Sequence, residues 1–214
     1  MPEVRLPPYK VEKLKGLRLL TELTNWSFRH YKIKNLWKAT QGKGVKVAVL
    51  DTGCSHKDIE IQKEIDFSGD GVADRNGHGD WTAGCIKAST NFLGIAPECR
   101  LYVGKVLAND GSGNWSWMEK GLEWALEEKV QVINISAGGD YRGSTIQPIL
   151  RELNSRGVVV VCASGNEDSP LIFPASSPDT LAVGAVNKSW QRASFSNFGP
   201  RLIVMAPGVN LLGC

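Results

Sequence analysis

Three residue types that cooperate in acyl transfer stand at separated points of the 214-residue chain. They are Asp51 in Asp51-Thr52-Gly53, His78 in Asn76-Gly77-His78-Gly79, and Asn166 in Ala163-Ser164-Gly165-Asn166. A carboxylate can fix the tautomer of an imidazole and stabilise its imidazolium form. The imidazole can then take a proton from a serine nucleophile, and a side-chain amide can donate to the developing oxyanion. His78 follows the turn-prone Asp74-Arg75-Asn76-Gly77 and precedes the small-residue run Thr82-Ala83-Gly84, which can open a helix. A histidine on such a turn can face a cleft with little cover, as a general base requires. Each residue also has a plainer reading. A lone histidine is often structural, and asparagine often caps turns.

The elements that must position these residues can be read from hydrophobic pattern. Val45–Leu50 is an apolar, β-branched run, the pattern of a buried strand, and it ends at Asp51. Further strands are expected at Leu101–Leu107, Val130–Ile135, Val158–Cys162, Leu181–Val186 and Ile203–Met205. Ser116 and Glu119 have capping-box spacing at the start of a helix running to about Glu128, with Met118, Leu122, Ala125 and Leu126 as its apolar face. A second helix is expected over Ile146–Ser155, with Pro148 in its first turn and Gly157 after its end. Strands alternating with helices predict an α/β fold with a mostly parallel, twisted sheet. Ligands of such sheets bind at the carboxyl ends of the strands, where Asp51, Ser136-Ala137-Gly138 and Asn166 all fall.

Composition narrows the function classes. A net charge of +3, with basic residues spread along the chain, gives no nucleic-acid footprint. The five cysteines lack Cys-x-x-Cys spacing and read as reduced thiols rather than a disulfide framework or zinc site. The N-terminus has no apolar signal core and no apolar run reaches membrane-spanning length, so a cytoplasmic protein is expected. Asp110-Gly111-Ser112-Gly113 lacks the Gly-x-x-x-x-Gly-Lys context of a phosphate loop. Asp-Thr-Gly also occurs in aspartic proteases, but those need an all-β setting and a second such aspartate. Trp115, Trp117 and Trp124 read as core and cleft-wall packing, and His30 and His56 as surface residues.

From about Gly44 onward the chain resembles the subtilisin-like serine proteases. The aspartate and histidine motifs quoted above resemble theirs and come in the same order. Leu93-Gly94-Ile95-Ala96-Pro97, Asn134–Gly139, Ala163–Asn166, Phe173-Pro174-Ala175, Phe195–Pro200 and Met205–Val209 continue the series. The resemblance implies a three-layer α/β/α catalytic domain over 41–214, hydrolysing polypeptides without a cofactor for the chemistry. It implies that Asp51 orients, His78 is the base and Asn166 donates to the oxyanion. Gly111, Ser112 and Gly113, with Ser136, Ala137 and Gly138, would form the substrate-binding edges. Ala137 is small, which points to a somewhat open primary pocket and a broad preference for apolar residues.

Residues 1–40 form a separate extension, read either as a loose tail with a short docking helix or as an extended segment lying in a groove. Leu6-Pro7-Pro8-Tyr9 cannot be helical. It resembles an element of the intracellular bacterial subtilisins, whose N-terminal extension crosses the active site and keeps the enzyme latent. A proline there resists cleavage by misplacing the scissile bond and removing a strand hydrogen bond.

The departures are as informative. The resemblance calls for a Gly-Thr-Ser-Met-Ala nucleophile motif, at the start of a buried helix, after Pro207-Gly208. The 214 residues end at Cys214 without it, and Ser136, Ser164, Ser194 and Ser196 all belong to other motifs. The C-terminal part of the domain is therefore expected to be absent, leaving a central sheet face exposed. Either a downstream segment or a second chain supplies the serine, or the chain is an inactive, degenerate relative that binds peptides through its two edges. Asp80-Trp81 stands where the family has Thr-His. Asp58 matches a calcium-ligating aspartate, but Cys85–Phe92 is shorter than the loop that completes that site, so Asp58 is as readily a surface or capping acid.

Overall fold

The computed structural model describes residues 3–10, 25–90, 92–141 and 143–213. In chain order the elements are β1 (Glu3–Arg5), α1 (Trp26–His30), α2 (Ile33–Leu36), β2 (Lys46–Asp51), β3 (Ile61–Asp66), α3 (His78–Lys87) and β4 (Arg100–Lys105). They continue with β5 (Ser112–Asn114), α4 (Trp115–Glu127), β6 (Val132–Ile135), α5 (Ile146–Ser155), β7 (Val159–Ala163), β8 (Leu181–Val186) and β9 (Leu202–Pro207). Seven strands form one sheet in the order β3-β4-β2-β6-β7-β8-β9, and every neighbouring pair is parallel.

The expected strands and helices are present, most with ends shifted by a residue or two. Two are corrections. The strand β3 falls where no strand is expected, because Gln62, Lys63 and Glu64 are exposed on an edge strand and interrupt any apolar run. The cap of α4 is not a Ser116–Glu119 box: the Asn114 side chain accepts from the Trp117 N–H, Ser116 donates to that same oxygen, and Glu119 accepts from Thr145.

The sheet carries helices on both faces, giving the three-layer α/β/α arrangement. On one face Ala48, Leu50, Ile133, Ile135, Val160, Cys162 and Ala182 are buried with Met118 and Leu122 of α4 and Ile146, Leu150 and Leu153 of α5. On the other, Val49, Leu101 and Val103 pack with Ala83 of α3. That second layer stops at the middle of the sheet. Side chains alternate along strands, and the register aligns Val161 with Leu181 and Val183 with Val204. On this half of the sheet Val159 is 47% exposed and Val204 43% exposed, while Val161, Leu181 and Val183 are only half-buried. The exposed central face expected from the sequence is this one, and no helix among the described residues covers it.

The strand β2 lies between β4 and β6, so the chain builds outward from it in both directions. The switch in strand order opens a crevice at its carboxyl end, and Asp51 is the last residue of β2.

Candidate active site

The Asp51 side chain is fully buried, and its Oδ1 lies 2.8 Å from Nδ1 of His78. The same oxygen accepts from the Thr52 N–H at 2.7 Å. With Nδ1–H held by the carboxylate, Nε2 of His78 is left as the basic nitrogen, the tautomer a general base needs. Burial works against the imidazolium, but the Asp51 charge and hydrogen bond, with help from Asp74, hold the His78 pKa above its ordinary value of 6.5.

His78 opens α3, and the turn before it is clamped by Asp74. Asp74 Oδ1 accepts from the N–H groups of Asn76 and Gly77 and from the Thr52 hydroxyl, and Oδ2 accepts from the Asp80 N–H. Thr52 Oγ1 in turn accepts from the Gly79 N–H at 2.9 Å. The strand end and the helix start meet so closely that a Cβ on Gly79 would stand 2.0 Å from the Gly53 carbonyl oxygen. Only glycine fits there, which explains the Asp-Thr-Gly and His-Gly pattern in steric terms. Sequence reasoning missed Asp74 and treated Asp80 only as a departure. In the structure Asp80 Oδ1 accepts from the N–H groups of Ser55 and His56, stitching the loop after β2 to α3. The spacing Asp74-x-Asn-Gly, an acid two and three residues before turn amides, was the available signal.

Asn166 sits after β7, beyond Gly165 at φ +108°. Its Nδ2 donates to the Pro8 carbonyl oxygen at 2.8 Å, so the amide is aimed at a backbone carbonyl. Its own N–H donates to Glu167, which Asn197 also holds.

The two edges expected to bind substrate are brought together around β1. That strand pairs antiparallel with β5, Val4 opposite Gly113 and Arg5 opposite Ser112. On its other side Arg5 exchanges both backbone hydrogen bonds with Gly138, at 3.1 and 3.0 Å. Leu6 N–H donates to the Gly111 carbonyl at 3.1 Å. Val4 is fully buried between the edges. Ser112 and Ser136 turn their hydroxyls to Asp110 and Asn134, and Ala137 is buried. Past Leu6 the chain reaches Pro7 and Pro8, which have no N–H to continue the ladder. The Tyr9 hydroxyl then donates to Asn76 Oδ1 at 2.8 Å, and its ring lies 5.0 Å from the His78 ring. Of the two readings of the N-terminus, the extended segment in a groove describes residues 3–9. Two short helices follow, tied to the far end of the chain by Asn25, which hydrogen-bonds both the N–H and the C=O of Leu212, and by Trp26 with Val209.

No serine hydroxyl hydrogen-bonds to His78 among the described residues; Ser164 and Ser196 are buried and face each other and nearby backbone groups. Among the described residues no group of three or more His, Cys, Asp or Glu side chains could hold a metal ion. The Asp58 N–H donates to His56 Nδ1. This corrects the surface reading of His56, which is half-buried and partnered; His30 is exposed but lies 4.6 Å from the Trp190 ring. Among the described residues Cys54, Cys85, Cys99 and Cys162 form no disulfide, and burial pushes the Cys54 thiol pKa up to about 12. Trp115 and Trp124 are buried as expected. No helix among the described residues is long and apolar enough to cross a membrane.

The sequence profile of the subtilase family, peptidase family S8, matches residues 42–214. The chain belongs to this family. It is 43% identical to subtilisin NAT of Bacillus subtilis subsp. natto over 183 residues, covering 79% of this chain and 48% of that protein. It is 42% identical to a subtilisin of Bacillus pumilus over 183 residues and 44% identical to subtilisin Savinase of Lederbergia lenta over 177 residues, each time covering 79% of this chain and 66% of the relative. The chain thus spans from about half to two thirds of the length of these subtilisins.

Proposed function

We propose that these residues supply the base, its orienting carboxylate, the oxyanion donor and the substrate edges of a subtilisin-type serine endopeptidase. The nucleophilic serine would come from a segment outside them, on the same polypeptide or on a second chain. The observation that carries this reading is the convergence of the Asp51–His78 pair and the Asn166 amide at the end of a strip that already binds an extended backbone. In the proposed reaction His78 Nε2 takes the serine proton, Asp51 stabilises the imidazolium and Asn166 donates to the tetrahedral oxyanion. Loss of one such donor lowers turnover by roughly 10²–10³-fold. Loss of the nucleophile costs about six orders of magnitude, so the 214 residues alone would be inactive. Polypeptides would bind by strand addition along Gly111–Gly113 and Ser136–Gly138, and the small Ala137 favours a broad preference for apolar residues.

Residues 3–9 would act as a built-in inhibitor in a cytoplasmic, latent enzyme. They fill the strip, place the Pro8 carbonyl on the oxyanion donor and lay Tyr9 against the base. The half-open face of β6–β9 is where the serine-bearing segment would dock. It is apolar, it adjoins the strand ends carrying Asn166 and Ser136, and the relatives are longer by enough chain to cover it.

A second reading, a peptide-binding module without catalysis, draws on the same strand addition. The test is complementation: the chain mixed with the remaining C-terminal portion of the Bacillus pumilus subtilisin. Hydrolysis of an apolar peptide substrate is expected, abolished by His78→Ala and raised when residues 1–10 are deleted. A stable complex without hydrolysis would leave the peptide-binding reading in its place.

A further inference from the structure

Lys105 is a large, fully buried cation at the end of β4, in register with Asp51 at the end of β2. A buried ammonium is strongly unfavourable unless its donors are satisfied. Here all three find acceptors: the Thr52 carbonyl at 2.7 Å, the Ala73 carbonyl at 3.0 Å and Asn109 Oδ1 at 2.8 Å. Every one of these acceptors is neutral, so this is not an ordinary ion pair. A buried lysine kept for packing alone could be replaced by an apolar side chain of similar length, whereas this one is spent wholly on two backbone carbonyls and one side-chain amide.

Those contacts belong to the three segments that converge on the site. Thr52 follows Asp51, and its hydroxyl is the group that joins Asp74 to Gly79. Ala73 precedes Asp74, whose carboxylate clamps the turn before His78. Asn109 precedes the Gly111–Gly113 edge, and its carbonyl accepts from Asn76 Nδ2 at 3.1 Å. We propose that Lys105 is a positioning residue for the Asp51–His78 pair: one ammonium pins the strand end bearing the carboxylate, the turn bearing the imidazole and the loop bearing the substrate edge. The proposal rests on reading Asp51 and His78 as the orienting acid and base, but its test needs no turnover, so either can fail alone.

The readout is the His78 Nδ1–H proton, observed by NMR in the chain itself. A 2.8 Å bond to a carboxylate places such a proton far downfield and protects it from exchange. In Lys105→Met the signal should be lost or exchange roughly tenfold faster or more, the scale of about one lost local hydrogen bond. Lys105→Gln, which keeps two donors, should lie between, and Met118→Ala, in the core away from these segments, should leave the signal in place. If Lys105→Met does not fold, Asn109→Ala and Lys105→Gln decide the matter, each expected to speed exchange. A folded Lys105→Met with the wild-type signal, or unchanged exchange in both milder variants, overturns the proposal.

Discussion

On one face of the sheet Ile133, Val160 and Ala182 lie sealed beneath α4 and α5; on the other, Val159, Val161, Leu181 and Val204 face outward across the same strands. Both faces are equally apolar in sequence, because a strand buried in a parallel sheet is hydrophobic on both sides. What separates them is the presence of a covering layer. The sealed face accounts for most of the burial that holds the domain together. The open face lies alongside half of the proposed site, and the Asp51–His78 pair is formed without it. In the proposed enzyme the base and its orienting carboxylate would thus be in place without the layer that would bring the nucleophile.

The largest effect expected from this contrast is in the sealed layer. Leu150→Ala should lower stability by about 2–5 kcal/mol in denaturant titration, because the fully buried Leu150 leaves a cavity under α5. Asn114→Ala removes the side-chain cap of α4 and should cost about 1 kcal/mol in the same assay. A pH series sharpens the account of α3. His78 has a raised folded-state pKa, so the stability it contributes is fully present below about pH 6.5, its ordinary value, and is lost as the pH rises through the folded value. Wild type should thus lose stability relative to His78→Gln over that interval, and a constant difference would contradict the Asp51–His78 pairing. Smallest of all, Val159→Thr on the open face should change stability by no more than about 0.5 kcal/mol, and should become clearly costly once a segment covers that face.

The contrast also explains what could be read in advance. The central strands were legible because their runs are apolar on both faces of the sheet, as in Val47–Leu50 and Val158–Cys162, even where the second face of Val159 and Val161 is left open. The edge strand β3 was not, since Gln62, Lys63 and Glu64 answer to solvent rather than to a core. Asp51, His78 and Asn166 stood in motifs whose glycines are dictated by sterics, as the close approach of Gly79 to Gly53 shows. Asp74 was legible only as a turn acid, and Asp80 and Lys105 were illegible. Those two hold backbone groups from distant segments, and nothing in local sequence announces a partner 24 to 53 residues away. The Ser116–Glu119 spacing misled because the helix starts at Trp115, so the cap falls on Asn114, which accepts from the Trp117 N–H.

The measurement that bears most directly on the open face is hydrogen exchange of the backbone amides with and without the C-terminal portion of the Bacillus pumilus subtilisin. The account predicts new protection in β7, β8 and β9 and in the loop carrying Asn166, with the amides of α4 and α5 unchanged. Binding that protects α4 and α5 or leaves β7–β9 exchanging as before would contradict it.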